Sequence, residues 1–222
     1  MKKIISVSIA AILLVMSVFS VNAFAADTTK TEALLDKLNT SKEVAVSLKA
    51  GDIPLFSSNS NASDTIYIKD DMAAYEYNAG FLNVRVVLDD DEIIAFLPFF
   101  PYIHVKLESS ALGSVDIWGL IEDATKVTMG VLAYVDTYEE EVGGVKYTVE
   151  EFNDRAQVTS KFYYQGDDLK ILKVEDKQTN SVQNTYFESI SFDVDNSIFE
   201  LPAISFDLTP VLQGLFLALI AA

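Results

Sequence analysis

The chain of 222 residues carries 33 acidic against 16 basic side chains, a formal charge of −17, and half of its residues are hydrophobic. That length and apolar content suit one folded domain burying about two-thirds of the surface its unfolded chain exposes, while the acidity excludes the phosphate backbone of nucleic acid as a partner. With no cysteine, disulfides, thiolate metal sites, cysteine nucleophiles and a lipid-modified cysteine are excluded as well.

Met1-Lys2-Lys3 makes a positive start, and from Ile4 to Ala26 there is no charged side chain. Ala23-Phe24-Ala25 has the small-x-small form that signal peptidase reads, so residues 1–25 are expected to be a signal peptide cleaved after Ala25. An uncleaved anchor is the alternative, because the run is long enough to span a bilayer. Residues 26–222 are then a single extracytoplasmic domain, secreted or held in a bacterial cell envelope, standing without disulfides on its own core.

Thr31 to Leu38 reads as a short helix with Leu34, Leu35 and Leu38 on one side and Thr31 or Asp27 as its cap. The period then changes to two. Val44, Val46 and Leu48 alternate with Glu43, Ala45, Ser47 and Lys49, which predicts a half-buried strand, and a long loop follows from Gly51 to Ala62. Strands are predicted at Thr65 to Lys69, Met72 to Asn78, Phe81 to Leu88, Glu92 to Leu97 and Tyr102 to Glu108, joined by turns such as Asp70-Asp71 and Asp89-Asp90-Asp91. In the third of these, Leu82, Val84, Val86 and Leu88 face the core, while Asn83 and Arg85 face water.

Ser109 to Asp123 breaks the alternation and reads as a helix crossing the sheet. Alternation resumes at Lys126 to Val135, then at Val145 to Phe152 after a Gly143-Gly144 turn, at Ala156 to Tyr164, at Leu169 to Val174 and at Val182 to Val194. In the last of these Tyr186, Glu188, Ile190, Phe192 and Val194 share one parity. The expected fold class is therefore α+β, with a long curled antiparallel sheet of about ten or eleven strands and helices on its concave face. Thr209-Pro210 opens a final apolar helix over residues 210–222, which is too short to span a membrane core and is suited to plugging the sheet, touching a membrane surface or docking to a partner.

Several stretches carry a family likeness: Ile68-Lys69-Asp70-Asp71-Met72-Ala73-Ala74-Tyr75-Glu76, Gly80-Phe81-Leu82-Asn83-Val84-Arg85, Tyr147-Thr148-Val149-Glu150-Glu151-Phe152, and Phe199-Glu200-Leu201-Pro202. Over roughly residues 30 to 205, the order of helix, meander, crossing helix and further strands resembles the half-barrel of bacterial lipoprotein carriers. These form the LolA-like superfamily, which includes LppX-like proteins; the wording is similar to an exported branch in Gram-positive gut bacteria. The resemblance implies an unclosed barrel over helices, with an apolar hollow that holds acyl chains in the carriers. No binding residue of the carriers matches here position by position.

Chemistry-bearing patterns are scarce. His104 is the single histidine, lies on the polar parity of its strand and reads as a surface residue. Glu139-Glu140-Glu141 and Glu150-Glu151 read as solvated acids, the latter pair pointing to opposite faces. Asp70-Asp71 and Asp89-Asp90-Asp91 read as turn formers before calcium ligands. No cofactor, metal site or enzymatic activity is expected, and a monomer is. The aromatic supply is more telling: Phe96, Phe99, Phe100, Trp118, Leu215 and Phe216 are the expected walls and lid of an apolar ligand site. The expected function is thus an exported non-enzyme holding an apolar ligand, lipid or lipoprotein acyl group in the hollow. The alternative is a structural or interaction module of the envelope whose hollow its own C-terminal helix fills.

Overall fold

The computed structural model of the chain describes residues 29–49, 63–79, 82–89, 92–97, 100–108, 133–153, 158–201 and 204–211. The expected signal peptide at 1–25, the crossing helix expected at 109–123, and the part of the expected C-terminal helix beyond Val211 lie outside the described residues.

The chain begins with α1 (Lys30–Ser41) and proceeds through β1 (Glu43–Lys49), β2 (Ser63–Lys69), β3 (Met72–Ala79), β4 (Leu82–Asp89), β5 (Glu92–Leu97) and β6 (Phe100–Glu108). A second series follows: β7 (Ala133–Val142), β8 (Val145–Asn153), β9 (Val158–Gln165), β10 (Asp168–Asp176) and β11 (Ser181–Ser191). After a 3-10 turn at Asn196–Ile198 comes the two-residue β12 (Phe206–Asp207). Gly143 and Gly144, at φ 60° and 82°, make the left-handed hairpin turn between β7 and β8 that other residues resist. That turn follows a strand of ten residues, so the strand expected to stop at Val135 runs on to Val142.

Each series is an antiparallel meander, and the first strand of one joins the last strand of the other. Pairing of β1 with β11 produces one 12-stranded sheet in the order β12-β6-β5-β4-β3-β2-β1-β11-β10-β9-β8-β7. Only β12 breaks the antiparallel rule, running parallel to β6 with Phe206 opposite Ile103 and Asp207 opposite His104. A single continuous sheet, rather than two stacked layers, is consistent with a half-barrel.

Register assigns the side chains to two faces. Val44, Val46, Leu48, Ile66, Ile68, Phe152, Phe162, Tyr164, Leu169, Leu172 and Phe187 form one buried cluster, and Leu35 and Leu38 of α1 pack into it. Burial of each such side chain stabilises the fold by about 1.5–3 kcal/mol. The opposite face is not wet as the alternation predicts. Val87, on the same parity as Asn83 and Arg85, is fully buried together with Ala74, Ile94 and Phe96. Covering them is a strap: Val194, Ile198 and Phe199 lie on this face, tied down by Lys69 Nζ donating to the Val194 carbonyl at 2.8 Å and by Arg85 Nη2 donating to that of Glu200 at 3.4 Å.

His104 is corrected as well. It shares the Phe96 parity, opposite Phe96 in the β5–β6 register, and is only 3% exposed. A residue on the polar parity of an antiparallel strand is buried when the second face is covered. The last strand is also corrected. A bulge sets Ile190 opposite Val46 and Phe187 opposite Leu48, so Phe187 enters the α1-side core and Tyr186 turns outward. One extra residue in a strand inverts the parity beyond it.

Candidate functional site: a cleft beside the first helix

Thr29, not Thr31 or Asp27, caps α1. Its hydroxyl accepts from Glu32 N at 3.1 Å while Glu32 Oε2 accepts from Thr29 N at 2.8 Å, a reciprocal capping box. A second carboxylate arrives from 120 residues away. Glu150, on β8 and buried, accepts from the backbone N–H groups of Lys30 at 2.8 Å and Thr31 at 2.9 Å, and from the Thr31 hydroxyl at 2.6 Å. The Thr31 hydroxyl also meets the Tyr164 hydroxyl at 2.9 Å. Glu150 is therefore no solvated acid. It takes up two of the N–H groups that every helix start leaves without partners, where the helix dipole favours negative charge. Burial, with the Glu150 charge adding to it, pushes the Tyr164 phenol above its ordinary range, which keeps it a neutral hydrogen-bonding group.

With its first turn anchored and Leu35 and Leu38 in the core, α1 turns another stripe aside. Lys30, Ala33, Leu34 and Lys37 follow at helical spacing and form one wall of a cleft of about 500 Å³. Leu169, Ile190 and Phe192 make the facing apolar wall, with Asp167 and Asp168 at the rim. That volume lies within the range of about 300–1,000 Å³ usual for small-molecule sites.

The charges at the rim are sorted into pairs. Lys30 Nζ lies 3.2 Å from Asp167 and donates to the Gly166 carbonyl. Lys170 pairs with Asp168 at 3.2 Å. Lys37 is placed differently, with its ammonium 4.7 Å from the centre of the Phe192 ring. Among the described residues no carboxylate is paired with it.

A second buried acid lies on the α1 side of the sheet. Asp64 on β2 stands opposite Leu48 and Tyr77, and the Tyr75 hydroxyl donates to it. Desolvation holds its carboxyl above the ordinary value of 3.8 despite the opposing effect of the Tyr75 bond. His104, on the strap side, has neither ring nitrogen hydrogen-bonded among the described residues. Its ring centre lies 6.0 Å from that of Phe96, and the Arg85 guanidinium stands 4.0 Å from the centre of the same Phe96 ring. Among the described residues, no three His, Asp or Glu side chains converge on a metal position.

Of the residues expected to line the ligand site, Phe96 packs beneath the strap with Val194 and Phe199, on the face opposite the cleft. Phe100 begins β6, where its backbone is paired with Leu97. Its side chain, and Phe99, Trp118, Leu215 and Phe216 entirely, lie outside the described residues. The cleft residues carried a signal that sequence reasoning passed over. Lys30, Ala33, Leu34 and Lys37 form a recognisable helical stripe, but Ile190 and Phe192 join them only through the bulge in β11.

No protein-family model matches the chain, and no curated protein is significantly similar to it. Among solved structures, an uncharacterized conserved protein from Thermus thermophilus aligns over 82% of this chain and 99% of its own, at 10% identity and a TM-score of 0.38. A DUF1329 family protein from Desulfovibrio piger aligns over 78% and 95%, at 11% identity and a TM-score of 0.29.

Proposed function

We propose that the chain is an exported, non-enzymatic protein that holds an apolar, acyl-type ligand in a half-barrel, with the cleft beside α1 as the ligand's place. The observation that carries this reading is the cleft itself, about 500 Å³ with Leu34, Leu169, Ile190 and Phe192 on its walls. Open space against apolar side chains forfeits their contacts, which an acyl chain restores. The carrier-like order of elements and the secretory start of the sequence support the same reading. So does the helix anchoring, because a wall fixed by buried hydrogen bonds keeps its shape when empty.

Filling the space is the test. Ala33→Trp places an indole in the cleft from an exposed helix position. The wild-type chain is expected to retain lipid in native mass spectrometry and to bind an uncharged solvatochromic dye such as Nile red; Ala33→Trp is expected to lose both while unfolding at the wild-type denaturant midpoint. Dye binding unaltered by Ala33→Trp contradicts the assignment.

A second reading, an envelope interaction module, is favoured by the exposed Ile204 at 73%, Phe206 at 58% and Val211 at 56%, which lead in sequence into the apolar C-terminal segment. Deleting Val211 to Ala222 separates the two readings. Retained dye binding with lost envelope association supports the module as an additional role, whereas lost dye binding with intact folding assigns the tail to the ligand site.

A further inference from the structure

We infer that the ligand of this cleft is an amphiphile with an anionic headgroup, read by Lys37; the inference rests on the cleft being the binding place. Charge balance at the rim leads to it. Asp167 is paired with Lys30, and Asp168 with Lys170 from outside the lining, so Lys37 is the one lysine of the lining with no carboxylate at ion-pair distance among the described residues. In a chain of net charge −17, a cation without a carboxylate partner at the edge of an apolar wall is a position that an anion can answer.

The position is built for a headgroup. The Phe192 ring stands 4.7 Å beneath the Lys37 ammonium, which holds the cation at the edge of the apolar wall by its attraction to the ring face. An acyl chain lying on Leu169, Ile190 and Phe192 would thus end beside a positive charge. A cationic head would meet that charge with both rim acids already engaged, and an uncharged head would leave it unanswered. Carboxylate and phosphate satisfy an ammonium equally as point charges, so a fatty acid and a phosphate-headed lipid share the required chemistry.

The test measures displacement of Nile red from the full chain by dodecanoate, dodecyl phosphate, uncharged monododecanoyl glycerol and dodecyltrimethylammonium. Both anions should bind more tightly than the glyceride by about fivefold, near the upper end for an ion pair open to solvent, with the cation weakest. Preference for either anion supports the inference and names its source, a fatty acid or a phosphate-headed lipid. Lys37→Gln should reduce the anion-to-glyceride affinity ratio toward one, and Lys37→Arg should restore it. Lys177→Gln, an equal change of net charge at the exposed turn after β10, should leave the ratio as in the wild type. An unchanged ratio in Lys37→Gln, with the glyceride still binding, overturns the headgroup assignment alone. Failure of every amphiphile to displace the dye, or of the dye to bind, overturns the cleft reading beneath it.

Discussion

The two faces of the sheet are covered in different ways. On one, α1 is pinned at its start by Glu150 and along its length by Leu35 and Leu38, yet it leaves an open flank where its next stripe faces Leu169, Ile190 and Phe192. On the other, a short strap built around the 3-10 turn lays Val194, Ile198 and Phe199 against Ala74, Val87, Ile94 and Phe96. A helix of twelve residues is a straight cylinder that touches a sheet along one line, so space remains beside it, whereas a short strap that bends through a single 3-10 turn can follow the sheet surface. The α1 face has the geometry of a binding site and the strap face that of a seal.

The largest expected effect falls on the helix anchor. Glu150→Ala removes a buried acceptor shared by three donors and should destabilise the chain by about 4 kcal/mol, read by urea denaturation, with loss of dye binding in whatever fraction stays folded. Leu35→Ala empties space under the same helix and should cost about 3 kcal/mol, again with weakened dye binding. Phe199→Ala on the strap should cost about 3 kcal/mol but leave dye affinity intact, since Phe199 packs on the opposite face. Equal loss of binding from the strap variant would erase the distinction between the faces.

The smallest effect concerns pH. Asp64 has its folded-state pKa raised above the ordinary 3.8, chiefly by desolvation. Its stability contribution is therefore fully present below about 3.8 and is lost as pH rises through the higher folded value. Asp64→Asn should accordingly be the more stable chain at pH 7, with the advantage shrinking as pH falls toward 4, measured by thermal midpoints across that range. A gap that widens on acidification would reverse the sign and show that Asp64 is held as a stabilised carboxylate.

Much of the strand order was legible because one face of each hairpin obeys period two and the turns are marked by residues such as Asp70-Asp71 and Gly143-Gly144. Pairing of β1 with β11 was not, since it joins strands from opposite ends of the chain and no local pattern records it. Parity failed at two kinds of place. At Val87 the strap buries a face that alternation assigns to water, with His104 buried beside Phe96 on that same face, and at Phe187 a bulge moves the apolar residue to the other side. The cleft combines both difficulties: its helical wall can be read from spacing, and its facing wall cannot. Glu150 was hidden differently, as one acid among 33 distinguished only by the helix start it meets.

Absence of cysteine allows the central claim to be tested at a single labelled position. Ala33→Cys carrying an environment-sensitive dye reports the cleft, and Ser197→Cys with the same dye reports the strap. Addition of dodecanoate should shift the emission at position 33 and leave that at 197 unaltered. No response at position 33, or matching responses at both, would contradict the assignment of the ligand to the flank of α1.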